Sequence, residues 1–349
     1  MAGRKRPSRR RYRTGDDALD AQIAELVQSA GAIDAADLLK ELVTACCKLA
    51  RNHADRGEMK LVSAALKEFV YSFSVFQKYR GTRKVTIFGS SRTPPDDPNY
   101  ACARSFGAAM AERGWMVITG AGPGIMEAGN EGAGAKQSFG ANIRLPMEQD
   151  ANEVMEGDPK LINFKYFFTR KVTFLKESDA FALFPGGYGT MDEVFELLTL
   201  MQTGKSDLHP VILLEAEGGG YWSDWRRFVD EHLAERGLIS RADTDLLCQA
   251  ESIDDGVREI ERFYRNYQSQ RYVRGTLVLR VLRVPPPAAL KKLARRFHDI
   301  LNSPTIEPVA ASKDEIADGD ALECRRIALD FNQSNFGRLR QLIDALNGY

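Results

Sequence analysis

Hydrophobic positions along this chain change their period twice. Up to about residue 80 they recur at helical spacing. Leu19, Ile23, Leu26 and Val27 form one set; Leu38, Leu39, Leu42, Val43, Cys46, Leu49 and Ala50 form the next; a third covers 61–76. From 84 to 268, apolar runs of strand length alternate with helical patterns. The runs are 85–88, 115–118, 141–145, 180–184 and 211–214, with a weaker one near 246–248. This alternation predicts an α/β fold: a Rossmann-like, doubly wound parallel sheet with helices on both faces. Beyond about 272 the pattern changes again. A strand over 277–282 is broken by Pro285, Pro286 and Pro287, a helix follows over 288–301, and a second strand–helix pair is expected at 323–329 and 336–346. The expected organisation is a basic, disordered arm (1–15), a helical extension (16–80), a nucleotide-binding α/β domain (81–270) and a small α+β appendage (271–349) for assembly or effector sensing.

The run 180–184 leads straight into Pro185-Gly186-Gly187-Tyr188-Gly189-Thr190, and that turn opens into a helical pattern. A strand–turn–helix of this kind aims bare backbone N–H groups, and the positive end of a helix dipole, at whatever sits above the turn. Gly186, Gly187 and Gly189 remove side chains that would hold a phosphate away from the backbone. Two further turns follow predicted strands: Gly89-Ser90-Ser91-Arg92, and Thr119 through Gly120, Gly122 and Gly124. Ligands of open parallel sheets lie beyond the carboxyl ends of the strands, so these three turns are the candidate binding surface.

Composition narrows the class. Lys plus Arg and Asp plus Glu each number 48 in 349 residues. Seven of the basic residues (Arg4, Lys5, Arg6, Arg9, Arg10, Arg11 and Arg13) precede residue 14, leaving 41 basic against 48 acidic residues in the remainder. The arm reads as a solvated tail rather than a nucleic-acid contact. It has no apolar core, so it is not a secretory signal, and no apolar run is long enough to span a membrane. The five cysteines lack CxxC spacing and the four histidines lack an HExxH, so neither disulfides nor a metal is expected, and a reducing cytoplasm fits. Two nucleotide motifs are excluded. A GxGxxG reading needs Gly where Ile125 stands, and a Walker A loop before Gly204-Lys205-Ser206 needs Gly where Thr199 stands.

The combination of Phe88-Gly89-Ser90-Ser91-Arg92, of Thr119-Gly120-Ala121-Gly122-Pro123-Gly124-Ile125-Met126-Glu127-Ala128, and of Arg170-Lys171 followed by the 185–193 motif resembles the LOG (Lonely Guy) family of nucleoside 5′-monophosphate phosphoribohydrolases, some once described as lysine decarboxylases. The stretch 140–149 is similar to the longer bacterial members. The resemblance covers about 83–215. It implies cleavage of the N-glycosidic bond of AMP or a modified AMP to free base and ribose 5-phosphate, with Arg170 and Glu193 essential, no cofactor, and a homo-oligomer, at least a dimer, with its site near a subunit boundary. Ala121 departs from the family pattern, where another glycine is common; that is tolerable unless position 121 needs positive φ. The alternative is a nucleotide sensor using the same cradle. A decarboxylase would carry pyridoxal, which nothing in the sequence suggests.

The residues allow more than one role. A carboxylate beside the sugar stabilises the positive charge that glycosidic cleavage builds, and Glu193 is placed for that. Thr190-Met191-Asp192-Glu193 is equally a capping-box pattern, with Thr190 at the N-cap and Glu193 ionised by backbone N–H groups. Over 163–176 a helical wheel gives an apolar arc of Phe164, Phe167, Phe168, Val172, Phe174 and Leu175. Arg170 lies at its edge and Lys171 inside it. Arg170 reads as a planar donor for phosphate, ribose or carboxylate, and Lys171 as a supporting charge; an ordinary helix-face ion pair is the other reading. Ser90 and Arg92 are candidate nucleotide contacts or plain turn polarity. Gly89, Gly120, Gly122 and Gly124 suit close backbone approach, Met126 the base or the core, and Glu127 substrate or helix-dipole compensation.

Overall fold

The structure, a computed structural model, describes residues 12–31, 35–145 and 150–349. Six of the arm's basic residues and positions 146–149 of the 140–149 stretch lie outside the described residues. Contacts divide the chain into a unit ending at Val70 and a second from Tyr71 to Tyr349. The first holds α1 (Asp17–Ser29), α2 (Ala36–Arg51) and α3 (Arg56–Gln77) as far as Val70. Asp16 caps α1 by accepting from the amides of Ala18 and Leu19, and its carboxylate also takes Arg51 at 3.1 Å, tying the end of α2 to the start of α1.

The second unit begins β1 (Lys84–Phe88), α4 (Pro98–Glu112), β2 (Met116–Thr119), α5 (Ile125–Ala133) and β3 (Ser138–Ile143). β4 (Leu161–Phe164), α6 (Phe167–Glu177), β5 (Ala180–Leu183), α7 (Tyr188–Gln202), β6 (Val211–Leu213), α8 (Tyr221–Phe228), β7 (Cys248–Gln249) and α9 (Ile253–Phe263) follow. The strands form one sheet in the order β4-β3-β2-β1-β5-β6-β7, every pair parallel. Alternation along the strands builds two cores. Phe88, Ile118, Phe181 and Leu213 face one side with Phe174, Val194 and Leu197 of α6 and α7. Val85, Ile87, Ala182 and Ile212 face the other with Phe106, Ile125 and Ile260 of α4, α5 and α9. Burial on both faces is why these strands read as unbroken apolar runs. The chain leaves β1 toward β4 and returns to β5 on the opposite flank. The order therefore reverses between β1 and β5, and a crevice opens above their carboxyl ends.

The C-terminal region is richer than expected. β8 (Tyr267–Val273), β9 (Thr276–Val281), α10 (Pro287–Arg296), β10 (Leu301–Val309), α11 (Lys313–Asp318), β11 (Arg325–Phe331) and α12 (Phe336–Leu346) make an antiparallel sheet ordered β10-β11-β9-β8. Its apolar face (Leu279, Val281, Ile327, Leu329) joins the same core as α7. On its other face the buried Glu315 Oε1 accepts from Arg280 Nη2 at 2.9 Å and Arg326 Nε at 3.1 Å. Against the upward push of burial, the Ser312 amide and these two guanidiniums bring its carboxyl down to about 2.

Three strands escaped the pattern, and each is an edge strand. β4 lies at the sheet's end inside the segment expected to be helical from 163, so Phe164 belongs to a strand and the helix starts at Phe167. β8 is polar over its middle, Gln268 to Arg271, and β10 carries two prolines, both tolerated because edge strands leave one row of backbone groups free. The expected helix over 288–301 ends at Arg296, and Leu301 starts β10.

α4 and α5 meet backbone to backbone. A Cβ on Gly107 would lie 2.5 Å from the Gly129 carbonyl oxygen, and one on Gly132 would overlap that of Arg104. Gly132→Ala must push the helices apart, and should lower unfolding free energy by about 2 kcal/mol in denaturant titration.

Candidate active site

A cavity of about 800 Å³ occupies the crevice above β1, β2 and β5. It gathers Gly89, Ser90 and Arg92 after β1, Gly120, Gly122 and Met126 after β2, Arg170 from α6, and Gly186, Gly187, Tyr188, Gly189, Thr190 and Glu193 after β5. Three expected site residues are not among its lining. Gly124 instead joins two turns: it has a φ of 70°, and a Cβ there would sit 2.5 Å from the Ser90 carbonyl oxygen. Glu127 stands one turn into α5, its carboxyl raised by partial burial and by Glu131. Lys171 turns aside, its Nζ 2.8 Å from both Asp192 Oδ2 and Glu196 Oε2, so it braces α6 against α7. Asp192 forms one arm of that brace while its side chain stays more than half exposed.

The glycines of the 185–190 turn have different reasons. A Cβ on Gly186 would overlap Thr190 Oγ1, whereas Cβ atoms on Gly187 and Gly189 would meet nothing within 4 Å. Their bareness is open space over the start of a helix. α7 begins at Tyr188 with Gly187 at its N-cap, and no side chain caps it. The capping-box reading of Thr190 and Glu193 is thereby overturned. Thr190 is already inside the helix, buried against Gly186, and the first-turn N–H groups keep their anion-binding capacity.

Glu193 therefore lies in the second turn, with 7 % of its surface exposed. Its Oε1 has no hydrogen-bond partner among the described residues, and Arg170 Nη2 stands 3.9 Å from it. Burial pushes its carboxyl up to about 7, against the opposing charges of Lys171 and Arg170. The expectation of a carboxylate kept ionised by backbone donors fails for this reason. Arg170 is itself held between aromatic rings, its guanidinium 5.0 Å from the Phe167 centroid and 5.7 Å from that of Phe174. Burial lowers its pKa and Glu193 opposes the fall.

Ala121 occupies the position where a glycine is common, and it does adopt positive φ, at 56°. Such a conformation costs about 1–2 kcal/mol for a residue with a Cβ. The surroundings enforce it. Thr119 Oγ1 accepts from the Ala121 amide at 2.9 Å, the Asn152 amide donates to its carbonyl at 2.8 Å, and Asn152 Nδ2 reaches the Gly122 carbonyl at 3.1 Å.

The cavity also holds Phe88, Ser91, Asn142, Ile143, Leu145, Phe167, Phe174, Met191 and Tyr221. Ile143 and Leu145 end a predicted strand, Phe88 opens the first binding turn, and Phe167 and Phe174 stood in the apolar arc, so their proximity was foreshadowed. Tyr221 had no signal, because it reaches the cavity from the start of α8, far along the chain from the three turns. The arc itself is not the buried face of α6. Phe167, Phe168 and Val172 are nearly half exposed, while Thr169, Lys171, Thr173 and Phe174 are buried.

A parallel sheet with a glycine-rich cradle at its switch point defines a Rossmann-like nucleotide-site protein. The family model described as "Possible lysine decarboxylase" matches residues 120–260. The cytokinin riboside 5′-monophosphate phosphoribohydrolase LOG1 of Arabidopsis thaliana is 36 % identical over 99 residues, 28 % of this chain and 45 % of that protein. The probable enzyme of the same name, LOGL5, of Oryza sativa subsp. japonica is 31 % identical over 183 residues, covering 48 % and 72 %, and that of Mycobacterium marinum 28 % over 158, covering 45 % and 82 %. The chain belongs to the LOG family of phosphoribohydrolases. Among solved structures, the molybdenum cofactor binding protein of Rippkaea orientalis aligns with a TM-score of 0.38 at 19 % identity, covering 52 % of this chain and 96 % of that one. The decarboxylase description does not fit the cavity: among the described residues that line it none is a lysine, the residue that holds pyridoxal phosphate.

Because the folded-state pKa of Glu193 is raised above its ordinary 4.5, the carboxyl costs nothing below about pH 4.5 and destabilises the fold increasingly as pH rises through 7. Glu193→Gln should therefore stabilise the protein by on the order of 3 kcal/mol at pH 8, with the gain vanishing near pH 4. Thermal unfolding of both proteins across that range checks it.

Proposed function

We propose that the chain hydrolyses the N-glycosidic bond of a purine nucleoside 5′-monophosphate, AMP or an N6-modified AMP, to free base and ribose 5-phosphate. The observation that carries this reading is the buried Arg170–Glu193 pair beside the uncapped start of α7. The phosphate is held by the first-turn N–H groups and the bare backbone of Gly187 and Gly189, with Ser90 and Arg92 contributing from the turn after β1. That anchors the ribose over Glu193. As the C1′–N bond breaks, its electron pair leaves with the base, which takes up a proton, and positive charge grows on the sugar. The Glu193 carboxylate stabilises that charge and accepts the proton of the water that adds to C1′. Arg170 orients the carboxylate and supports its ionised form. The purine lies toward Met126, Ile143 and Leu145, the apolar part of the cavity lining beside α5 and the end of β3. No cofactor is invoked. Five free cysteines are in keeping with a reducing cytoplasm, and no helix among the described residues is long and apolar enough to cross a membrane.

Incubation with AMP, GMP, CMP, UMP and a prenylated AMP, with products resolved by chromatography, tests the reading. Free base and ribose 5-phosphate are expected from the purine nucleotides. The value of kcat/KM should rise with pH to an inflection near 7, where Glu193 loses its proton. Glu193→Gln should cut kcat by roughly 10²–10⁴ and abolish that limb while AMP still binds. Turnover near the wild-type rate in this variant would refute the role of Glu193. Intact nucleotides throughout, with AMP binding retained, would favour a sensor.

A homo-oligomer, at least a dimer, is part of the same proposal. The half-exposed Phe167, Phe168 and Val172 on α6 give an apolar face beside the cavity mouth, as a shared subunit boundary requires. Sedimentation should return at least twice 38.9 kDa, and Phe168→Asp should shift the protein toward the monomer. A monomeric wild type would overturn this part.

A further inference from the structure

Tyr221, at the start of α8 and outside every motif of the sequence, touches the backbone of the cradle. Its hydroxyl donates to the Gly186 carbonyl oxygen at 2.5 Å, and its ring lines the cavity. The Gly186 carbonyl and the Gly187 amide belong to one trans peptide plane and point in opposite directions. With glycine on both sides, that plane meets little steric resistance to turning over. A flip would swing a carbonyl dipole to where the amide had been and repel an anion there.

Tyr221 is itself anchored. Glu215, just past β6, accepts from the amides of Tyr221 (Oε2, 3.0 Å) and Trp222 (Oε1, 3.2 Å), and the fully buried Trp222 indole donates to the Leu214 carbonyl at 2.9 Å. A Cβ on Gly219 would overlap the Glu215 carboxylate, so the run Gly218-Gly219-Gly220 is shaped to let that carboxylate fold back over the turn. The start of α8 is thus fastened to the residues that leave β6, and the phenol extends from this fixed point to the cradle.

We propose that Tyr221 is a positioning residue for the phosphate site: it holds the Gly186–Gly187 peptide so that the Gly187 amide stays turned toward the substrate's phosphate, with Glu215 as its anchor. This rests on the reading of the cradle as a phosphate site, not on the hydrolytic step. Tyr221 touches no reacting atom, so its loss is felt in binding of the phosphate rather than in bond cleavage.

Tyr221→Phe removes the hydroxyl alone. Calorimetry on the full chain should show ribose 5-phosphate binding weakened about tenfold, with adenosine binding unchanged. In turnover, KM for AMP should rise by a similar factor with kcat within about twofold. Glu215→Gln should move ribose 5-phosphate binding in the same direction by a smaller factor, and carries the test alone if Tyr221→Phe does not fold. Unchanged ribose 5-phosphate binding in a folded variant overturns the proposal. Equal weakening of adenosine does so too, since that marks general loosening. A wild type that leaves AMP intact, yet binds ribose 5-phosphate in a Tyr221-dependent way, removes the hydrolase reading and keeps the clamp.

Discussion

Burying a carboxylate and a guanidinium together in an apolar wall is the constraint on which the rest of this site depends. Glu193 and Arg170 stand 3.9 Å apart, and neither gains enough hydrogen bonds to repay its lost hydration. Desolvation of such a pair costs several kcal/mol per ion, so the arrangement survives only if the frame around it is stiff. The frame is a sheet buried on both faces, with α6 and α7 braced by Lys171 to Asp192 and Glu196. The result is a carboxyl poised near neutrality, able to hold or release a proton at working pH.

The same logic explains the strained and crowded backbone around the cavity. Ala121 is kept at positive φ by donating to Thr119 and accepting from Asn152, which also donates to the Gly122 carbonyl, and side chains have no room at Gly124, against the Ser90–Ser91 turn, or at Gly186, against Thr190. Gly187 and Gly189 are the contrast, since none of the described residues would lie within 4 Å of a Cβ there. One set of glycines lets the turns close on each other; the other keeps space clear above the helix. The sequence motif does not distinguish the two uses.

Beyond the cradle, the fold invests heavily in joining its parts. The antiparallel C-terminal sheet shares a core with α7, and Trp222 and Tyr221 run from the end of β6 to the Gly186 carbonyl. Binding at the cradle is thereby connected to segments the family motifs do not cover. The exposed aromatic face of α6 continues this outward, toward a second copy in the reading proposed above.

By itself the sequence determined the parallel α/β core, the three turns at its carboxyl edge and the glycine-rich motif. Runs buried on both faces and glycine punctuation are local signals that survive without tertiary knowledge. It also put Arg170 and Glu193 in the reckoning, through resemblance more than through spacing. Edge strands such as β8 and β10 left little trace, because a strand with one free row need not be apolar. Only the tertiary structure decided that Glu193 is uncapped, buried and near neutrality, that Lys171 braces rather than binds, and that Tyr221 reaches the cradle. Protonation, burial and long-range hydrogen bonds depend on what distant segments bring alongside a residue, and no local pattern encodes those neighbours.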